Sequence, residues 1–142
     1  MEMATVNSTK AAHRRTRADH ATETAEDYVE AIDVILRRDG VCRVSDLAKR
    51  FGVSHVTVNR TLARLDREGL VMVEPYQPVD LTAKGRRLAV KCAERHRIVF
   101  EFLLALGVDE HTAAVDAEGI EHHVSERTLQ RFASATAEMN DR

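Results

Sequence analysis

Apolar residues recur along most of the chain at the three- and four-residue spacing that is typical of amphipathic helices. In the first run, Val29, Ile32 and Ile35 keep this spacing and Asp39-Gly40 ends it, which predicts a helix over about 25–38. Further runs predict a short helix over 46–50, one over about 55–68, a long one from Thr82 to about Leu106, and two more that begin at Asp109 and Ser125. Residues 1–24 are polar and lack this periodicity, so we expect a flexible N-terminal tail there.

Between the third and fourth predicted helices the pattern changes to consecutive β-branched and apolar residues. Leu70–Glu74 predicts a strand, Pro75–Pro78 a turn, and Val79–Leu81 a short return strand. The sequence therefore predicts one small β-hairpin in an otherwise helical chain.

The segment from Arg43 to Leu65 has the pattern of a helix-turn-helix motif. Gly52 permits the sharp turn, Ser45 and Ser54 are placed to cap the two helices, and apolar residues from Val53 to Leu65 predict the buried side. A helix of this kind fits the major groove, while Ser and Thr hydroxyls suit phosphate oxygens. The polar residues that we expect to contact DNA are Ser45, Ser54, His55, Thr57, Asn59, Arg60 and Arg64. The alternative is a pair of packed helices whose charged face is only solvated.

These elements predict a mainly α fold: an N-terminal winged helix-turn-helix domain with a small β-hairpin wing over 25–81, followed by an all-helical dimerisation domain over 82–142. A composition with 44% hydrophobic residues, 4% aromatic residues and no Trp suits an aliphatic, helical core. The sequence has neither an apolar run of transmembrane length nor a secretory signal. Because Cys42 and Cys92 form no C-x-x-C pattern, we expect reduced thiols in a cytoplasmic protein.

Charge divides the chain into three parts although the net charge is only −2. Residues 37–91 carry 12 Lys and Arg against 6 Asp and Glu, whereas residues 1–36 carry 4 against 7 and residues 92–142 carry 5 against 10. A basic middle attracts phosphates and therefore supports double-stranded DNA as a partner. The acidic ends predict a different task outside the helix-turn-helix.

Candidate metal ligands lie near the C-terminal end, in Glu118-Gly119-Ile120-Glu121-His122-His123. If this segment is helical, Glu118, Glu121 and His122 at i, i+3 and i+4 share one face, whereas His123 points elsewhere. Carboxylate and imidazole groups together are ligands of first-row metals. The sequence therefore predicts a metal site in this segment.

Two further features are weak when taken alone. Asp27 and Glu30 form a carboxylate pair at i and i+3 in the first predicted helix, where acidic residues are common in any case. His96 lies in the long helix between two arginines, and a single helical histidine is more often an ordinary surface or core residue.

The whole pattern resembles the diphtheria-toxin-repressor-like metalloregulators, and their manganese-responsive branch in particular, from about Glu26 to Phe132. The segments that carry the resemblance are Asp27–Glu30, Val44–Ala48, Leu81–Gly85, Arg95-His96 and Asp116–His123. By this resemblance the metal ligands are Asp27, Glu30, His96, Glu118, Glu121 and His122, which hold Mn(II), with up to two ions per subunit in the family's manner. Iron-responsive relatives carry Met in place of Asp27 and Cys in place of Glu121, so these two residues favour manganese; an oxygen-rich set without thiolate agrees.

The resemblance implies a homodimeric, Mn(II)-activated transcriptional repressor of manganese uptake genes that binds operator DNA. It implies no catalytic residues, no membrane and no small organic substrate. The expected dimer contacts are apolar residues of the C-terminal helices: Ile98, Val99, Phe102, Leu103, Leu106, Leu129 and Phe132. Three alternatives remain: an Fe(II)-responsive repressor of the same architecture, a winged-helix regulator without metal control, and a metal-dependent hydrolase that uses paired carboxylates.

Overall fold

The structure, a computed structural model, describes residues 2–142, with side chains from residue 9 onward apart from residue 15. The six helices in these residues are α1 (Glu2–Asp39), α2 (Val44–Phe51), α3 (His55–Arg67), α4 (Ala83–Ala105), α5 (Glu110–Ile120) and α6 (Glu126–Asn140). Two strands, β1 (Val71–Met72) and β2 (Asp80–Leu81), pair antiparallel with Val71 opposite Leu81. The predicted mainly helical fold with one small hairpin is therefore confirmed.

Helices α1, α2 and α3 and the hairpin enclose the first core. Its most deeply buried residues come from every one of these elements and include Val29, Ile32, Leu47, Val58 and Leu81. Ser54 caps α3 as predicted, because its side chain accepts a hydrogen bond from the Thr57 amide. The predicted cap at Ser45 is wrong: α2 begins at Val44 with Arg43 as its cap residue, and the Arg43 amide donates to Asp46 at 2.9 Å.

Helix α1 begins far upstream of the predicted start at residue 25. Residues 2–39 contain neither Pro nor Gly, so nothing interrupts a helix that grows outward from the packed part near Val29. Thr16 and Thr24 donate to carbonyl oxygens one turn back, at 2.9 Å each. The predicted tail is thus helical; that it is flexible stays a prediction.

A tight junction fixes α4 to the hairpin. The Thr82 hydroxyl donates to the Gly69 carbonyl at 2.6 Å, and the Lys84 ammonium donates to the Glu68 carbonyl at 2.9 Å. Gly85 packs so closely that a Cβ at this position would overlap the carbonyl oxygen of Leu70. The first turn of α4 therefore belongs physically to the N-terminal core.

Gly85→Ala is expected to destabilise the protein by about 3 kcal/mol, because the added methyl group meets a backbone atom that cannot rotate away. Chemical unfolding of the metal-free protein measures this loss. Gly119→Ala is the matched control, since a Cβ there meets nothing within 4 Å and gains about 1 kcal/mol of helix propensity. Equal stability of the two variants would contradict the packing described at Gly85.

Helices α4, α5 and α6 form a second core around Val99, Ala117 and Leu129. The Phe102 and Phe132 rings stack with centroids 4.2 Å apart. Val99 and Leu129, which we expected at a dimer interface, are instead buried inside the chain, whereas Leu106 is exposed. None of the described helices combines the length and apolar composition that crossing a bilayer requires.

Candidate metal centre and DNA-binding surface

One face of α1 carries four carboxylates at i, i+3, i+4 and i+7: Glu23, Glu26, Asp27 and Glu30. Core packing of the neighbouring Tyr28, Val29 and Ile32 holds this part of α1 in place. The carboxylates meet residues 121–123, which follow α5, and so bring the N-terminal half of the chain against the C-terminal half.

His122 is the central residue of this meeting point. Its side chain is only 2% exposed; its Nδ1 lies 2.7 Å from Glu26 Oε2, and its Nε2 lies 3.0 Å from Asp27 Oδ1. The same Nε2 is 3.4 Å from Glu121 Oε1. One imidazole therefore touches three carboxylates.

Glu121 is buried beside His122, with a side chain that is also 2% exposed. Its Oε2 lies 3.0 Å from His96 Nδ1 but lacks hydrogen-bond geometry, and within the described residues neither this atom nor buried Glu30 Oε1 has a hydrogen-bond partner. Buried oxygens without partners are costly, so a bound cation would relieve them. We refer to Glu26, Asp27, Glu30, His96, Glu121 and His122 as the carboxylate–imidazole cluster.

Five of the six predicted metal ligands belong to this cluster, and the sixth, Glu118, does not. Glu118 is exposed in the last turn of α5 and acts on the cluster only through its charge. The predicted single helix face is wrong, because α5 ends at Ile120, Glu121 caps it, and His122 lies in the turn beyond. Within the described side chains, ligand atoms that could share one ion form two groups: Glu30, Glu121 and His122, and Glu23, Asp27 and His122.

Sequence reasoning missed Glu26, Glu23 and His123. Glu26 is 6% exposed, and its Oε2 forms a hydrogen bond with His122 Nδ1. His123 Nε2 lies 3.1 Å from Glu23 Oε2. The available signal was the continuation of the Asp27 and Glu30 pair into a face of four acidic residues at i, i+3, i+4 and i+7. The prediction considered only the pair.

The cluster holds protons in the metal-free protein. Burial, together with the charge of Glu30, raises the pKa of Glu121 to about 8. Burial opposes a charge on His122, but hydrogen bonds to Asp27 and Glu26 outweigh it and raise the His122 pKa to about 10. Burial also raises the pKa of Glu30. A cation that enters must therefore displace protons.

The donor set fits a hard divalent metal. Cys92 is the neighbouring thiol, with Sγ 3.7 Å from Glu26 Oε2, but burial and the charges of Glu26 and Glu30 raise its pKa far above neutral pH. It therefore remains a protonated thiol, and the donors in the cluster are carboxylate oxygens and imidazole nitrogens. Such a set suits Mn²⁺ or Fe²⁺ better than metals that prefer thiolate.

Most of the predicted DNA-reading residues lie on the outer side of α3 and the turn before it, and Ser45 lies in α2. Ser45, Ser54, His55, Thr57, Asn59 and Arg60 are all exposed. A cleft of about 850 Å³ between α3 and the hairpin is lined by Ser45, His55 and Asn59 on one side and by Tyr76 and Gln77 of the hairpin on the other. The outer residues of α3 are exposed, as insertion of this helix into a DNA groove requires.

Arg64 occupies a different position from the other predicted DNA contacts. It is half-buried; its Nη2 donates to the Ala21 carbonyl at 3.1 Å and its Nε lies 3.6 Å from Glu68 Oε1. Arg64 therefore connects α3 to α1. Val53 was predicted to be buried but is exposed. Val56 on α3 is also exposed, and its apolar side chain suits contact with a thymine methyl group. The prediction missed Val56 because it considered only polar residues as DNA contacts.

Comparison with known proteins follows the same division of the chain. Residues 20–79 match the family model "Iron dependent repressor, N-terminal DNA binding domain". Residues 82–140 match "Iron dependent repressor, metal binding and dimerisation domain". The chain belongs to the iron-dependent repressor family.

Relatives in this family include regulators with manganese in their names or titles. The chain is 49% identical to the transcriptional regulator MntR of Escherichia coli O157:H7 over 119 residues, 84% of this chain and 77% of the relative. It is 36% identical to the HTH-type transcriptional regulator MntR of Bacillus subtilis over 111 residues, 78% of each chain. Among solved structures, a manganese-dependent transcriptional repressor in complex with manganese is similar with a TM-score of 0.70 and 32% identity, covering 80% of this chain and 52% of that one.

This member of the iron-dependent repressor family is thus a metal-responsive transcriptional repressor with a DNA-binding and a dimerisation domain. The chain spans about half the length of the manganese-dependent repressor structure. The basic part of the chain coincides with the helix-turn-helix, whereas the acidic face of α1 lies within the match to the DNA-binding domain and contacts the metal-binding domain through His122.

Proposed function

We propose that this protein represses manganese uptake genes in the cytoplasm as a homodimer that binds operator DNA when Mn²⁺ is bound. The observation that carries the proposal is the carboxylate–imidazole cluster, which joins α1 of the DNA-binding lobe to the turn after α5. Its donors are those that Mn²⁺ prefers, and the relatives called MntR support manganese as the signal. The relatives are transcriptional regulators, and we propose no catalytic activity.

The proposed ligands are Asp27, Glu30, His96, Glu121 and His122, with Glu118 available from the adjacent turn of α5. The unpartnered oxygens of Glu30 and Glu121 support this set, and Glu26 is proposed to orient His122 through its Nδ1. Bound Mn²⁺ would supply the positive charge that these carboxylates lack. Two groups of ligand atoms favour up to two ions per subunit.

Coupling to DNA follows from where the ligands lie. Asp27 and Glu30 are on α1, which packs into the core of the DNA-binding lobe, whereas Glu121 and His122 follow α5 of the dimerisation lobe. When both sides are held together, the two α3 helices of a dimer keep a fixed separation, which must match the spacing of DNA half-sites. Metal and DNA then tighten each other's binding by the same factor.

The same architecture responding to Fe²⁺ is the second candidate, and the name of the matching family models favours it. Operator affinity measured under anoxic conditions, with Mn²⁺ or Fe²⁺ at buffered free concentrations, separates the two. We expect half-maximal operator binding at a lower free concentration of Mn²⁺ than of Fe²⁺, when each concentration is divided by that of the same free ion in the cell. Operator binding that is unchanged by a chelator would overturn metal control altogether.

Arg60→Ala provides the matched control for this experiment, because Arg60 is exposed on α3 and has no place in the cluster. The variant should bind operator more weakly at every metal concentration, while Mn²⁺ binding to the DNA-free protein stays the same. A change in DNA-free Mn²⁺ affinity would show that α3 and the cluster are not separate sites.

A further inference from the structure

The tip of the β-hairpin has a strained backbone. The Gln77 amide donates to the Glu74 carbonyl at 3.1 Å and closes a four-residue turn. In this turn Pro75 is the second residue and Tyr76 the third. Tyr76 has a φ of 63°, and among the residues that the structure describes it is the only one besides glycines with a positive φ. Turns with a positive φ at the third residue favour glycine there, because a bulky side chain is strained in this conformation.

Packing within the chain does not explain why a tyrosine occupies this position. The Tyr76 side chain is fully exposed, so no neighbouring group covers its ring. The base of the hairpin, in contrast, is firmly held: Val71 and Leu81 are buried, and the Val79 amide donates to the Cys42 carbonyl at 2.8 Å. A fixed hairpin therefore presents a strained, exposed phenol, which indicates a partner outside the chain.

The tip of the hairpin lies on the DNA-binding side of the molecule. Tyr76 lines the cleft of about 850 Å³ between the hairpin and α3, opposite His55 and Asn59. When α3 enters the major groove, which is about 12 Å wide, a sugar–phosphate backbone borders the helix on each side. Because the hairpin is the element beside α3, one of these backbones meets its tip.

A contact between the hairpin and DNA cannot depend on positive charge. Residues 71–81 contain Glu74 and Asp80 but no Lys, Arg or His. The side-chain donors at the tip are the Tyr76 hydroxyl and the Gln77 amide, and both are neutral. Tyrosine hydroxyls are among the groups that donate to DNA phosphates.

We propose that the Tyr76 hydroxyl donates a hydrogen bond to a phosphate oxygen of the DNA backbone that borders α3. This inference rests on the proposed function and deepens it, because it adds a hairpin residue to the operator-binding surface. A neutral donor neutralises no phosphate charge and releases no counterion, so this contact strengthens binding by the same factor at low and at high salt.

Tyr76→Phe tests the contact, because it removes one oxygen and keeps the ring. The probe is a labelled DNA duplex that the Mn²⁺-bound wild type selects from a random library, and fluorescence anisotropy at several KCl concentrations measures its affinity. We expect about tenfold weaker binding, which is typical for the loss of one hydrogen bond to a charged group. The slope of log affinity against log salt concentration should equal that of the wild type.

Two control variants define the range of the salt measurement. Arg60→Ala removes a positive charge from α3 and should make the salt slope shallower by about one. Ser134→Ala removes an exposed hydroxyl from α6 in the other lobe and should bind the duplex like the wild type.

Tyr76→Gly separates DNA binding from folding. Glycine adopts a φ of 63° without strain, so the metal-free variant should unfold at the temperature of the wild type or a higher one, although its DNA affinity falls by at least as much as in Tyr76→Phe. Lower thermal stability combined with unchanged DNA affinity would mean that Tyr76 serves the fold alone, and would overturn the proposal.

Wild-type affinity in Tyr76→Phe would also overturn the contact, and a changed salt slope in this variant would contradict its neutral character. The proposed function would survive these results if Mn²⁺ still promoted binding of the duplex. If a chelator left binding of the duplex by the wild type unchanged, the proposed function itself would be refuted.

Discussion

Glu121→Gln is expected to abolish Mn²⁺-dependent operator binding while leaving the protein folded. Glu121 is buried, lies between His96 and His122, and has an oxygen without a hydrogen-bond partner. Loss of residues that merely support a metal ligand already costs about 10- to 100-fold in affinity, so loss of this carboxylate should cost about 100-fold or more. Fluorescence anisotropy with labelled operator, titrated with Mn²⁺, measures the effect.

The fold should tolerate this change because the amide has nearly the same shape and removes a buried group that resists ionisation. Circular dichroism and thermal unfolding without metal check that point. Glu138→Gln, at an exposed position of α6, is the control and should respond to Mn²⁺ like the wild type. If Glu121→Gln bound operator in a normal Mn²⁺-dependent manner, the cluster would not be the sensing site.

Raising the pH from 6.5 to 7.5 is expected to tighten Mn²⁺ binding by about 100-fold, because two protons leave as the ion enters. His122, with a pKa of about 10, and Glu121, with a pKa of about 8, are both largely protonated in this range in the metal-free protein. Each must lose its proton to become a ligand. Because both pKa values are raised, affinity increases with pH, and the dependence becomes weaker above pH 8, where only His122 still carries a proton.

Isothermal titration calorimetry in buffers with different ionisation enthalpies counts the released protons directly. The wild type should release about two protons for each ion bound by Glu121 and His122 at pH 7, and Glu121→Gln, where it still binds, about one. Binding that is independent of pH between 6.5 and 7.5 would mean that the cluster is deprotonated before metal arrives.

Elements with strong local signals could be predicted from the sequence. The turn at Gly52, the cap at Ser54 and the hairpin after Leu70 depend on neighbours in the chain, and the structure contains all three. The cap predicted at Ser45 was wrong because Arg43, two residues earlier, is the cap residue of α2. Its backbone is extended and its amide donates a hydrogen bond to Asp46. The predicted helix is shorter than α1 because apolar periodicity indicates only the packed part of a helix. An exposed extension has no such periodicity.

The site was less predictable because its geometry depends on contacts far apart in sequence. Glu26 and His122 are 96 residues apart, and no local pattern distinguishes a buried supporting glutamate from a solvated one. Arg64 looked like a DNA contact because its helix face is right, yet the backbone of α1 lies within its reach. Val99 and Leu129 fitted a dimer interface by composition, but α4, α5 and α6 already bury them within one chain.

The close contact between Gly85 and Leu70 also decides where members of the family can be recombined. The two family models divide the chain between residues 79 and 82, but the hydrogen bonds of Thr82 and Lys84 and the packing of Gly85 all cross that boundary. A chimaera joined there would pair a hairpin from one parent with the first turn of α4 from another. If the crossover point lies after Gly85, the hairpin and the first turn of α4 come from the same parent. The transferred DNA-binding lobe then keeps its native contacts to the start of α4.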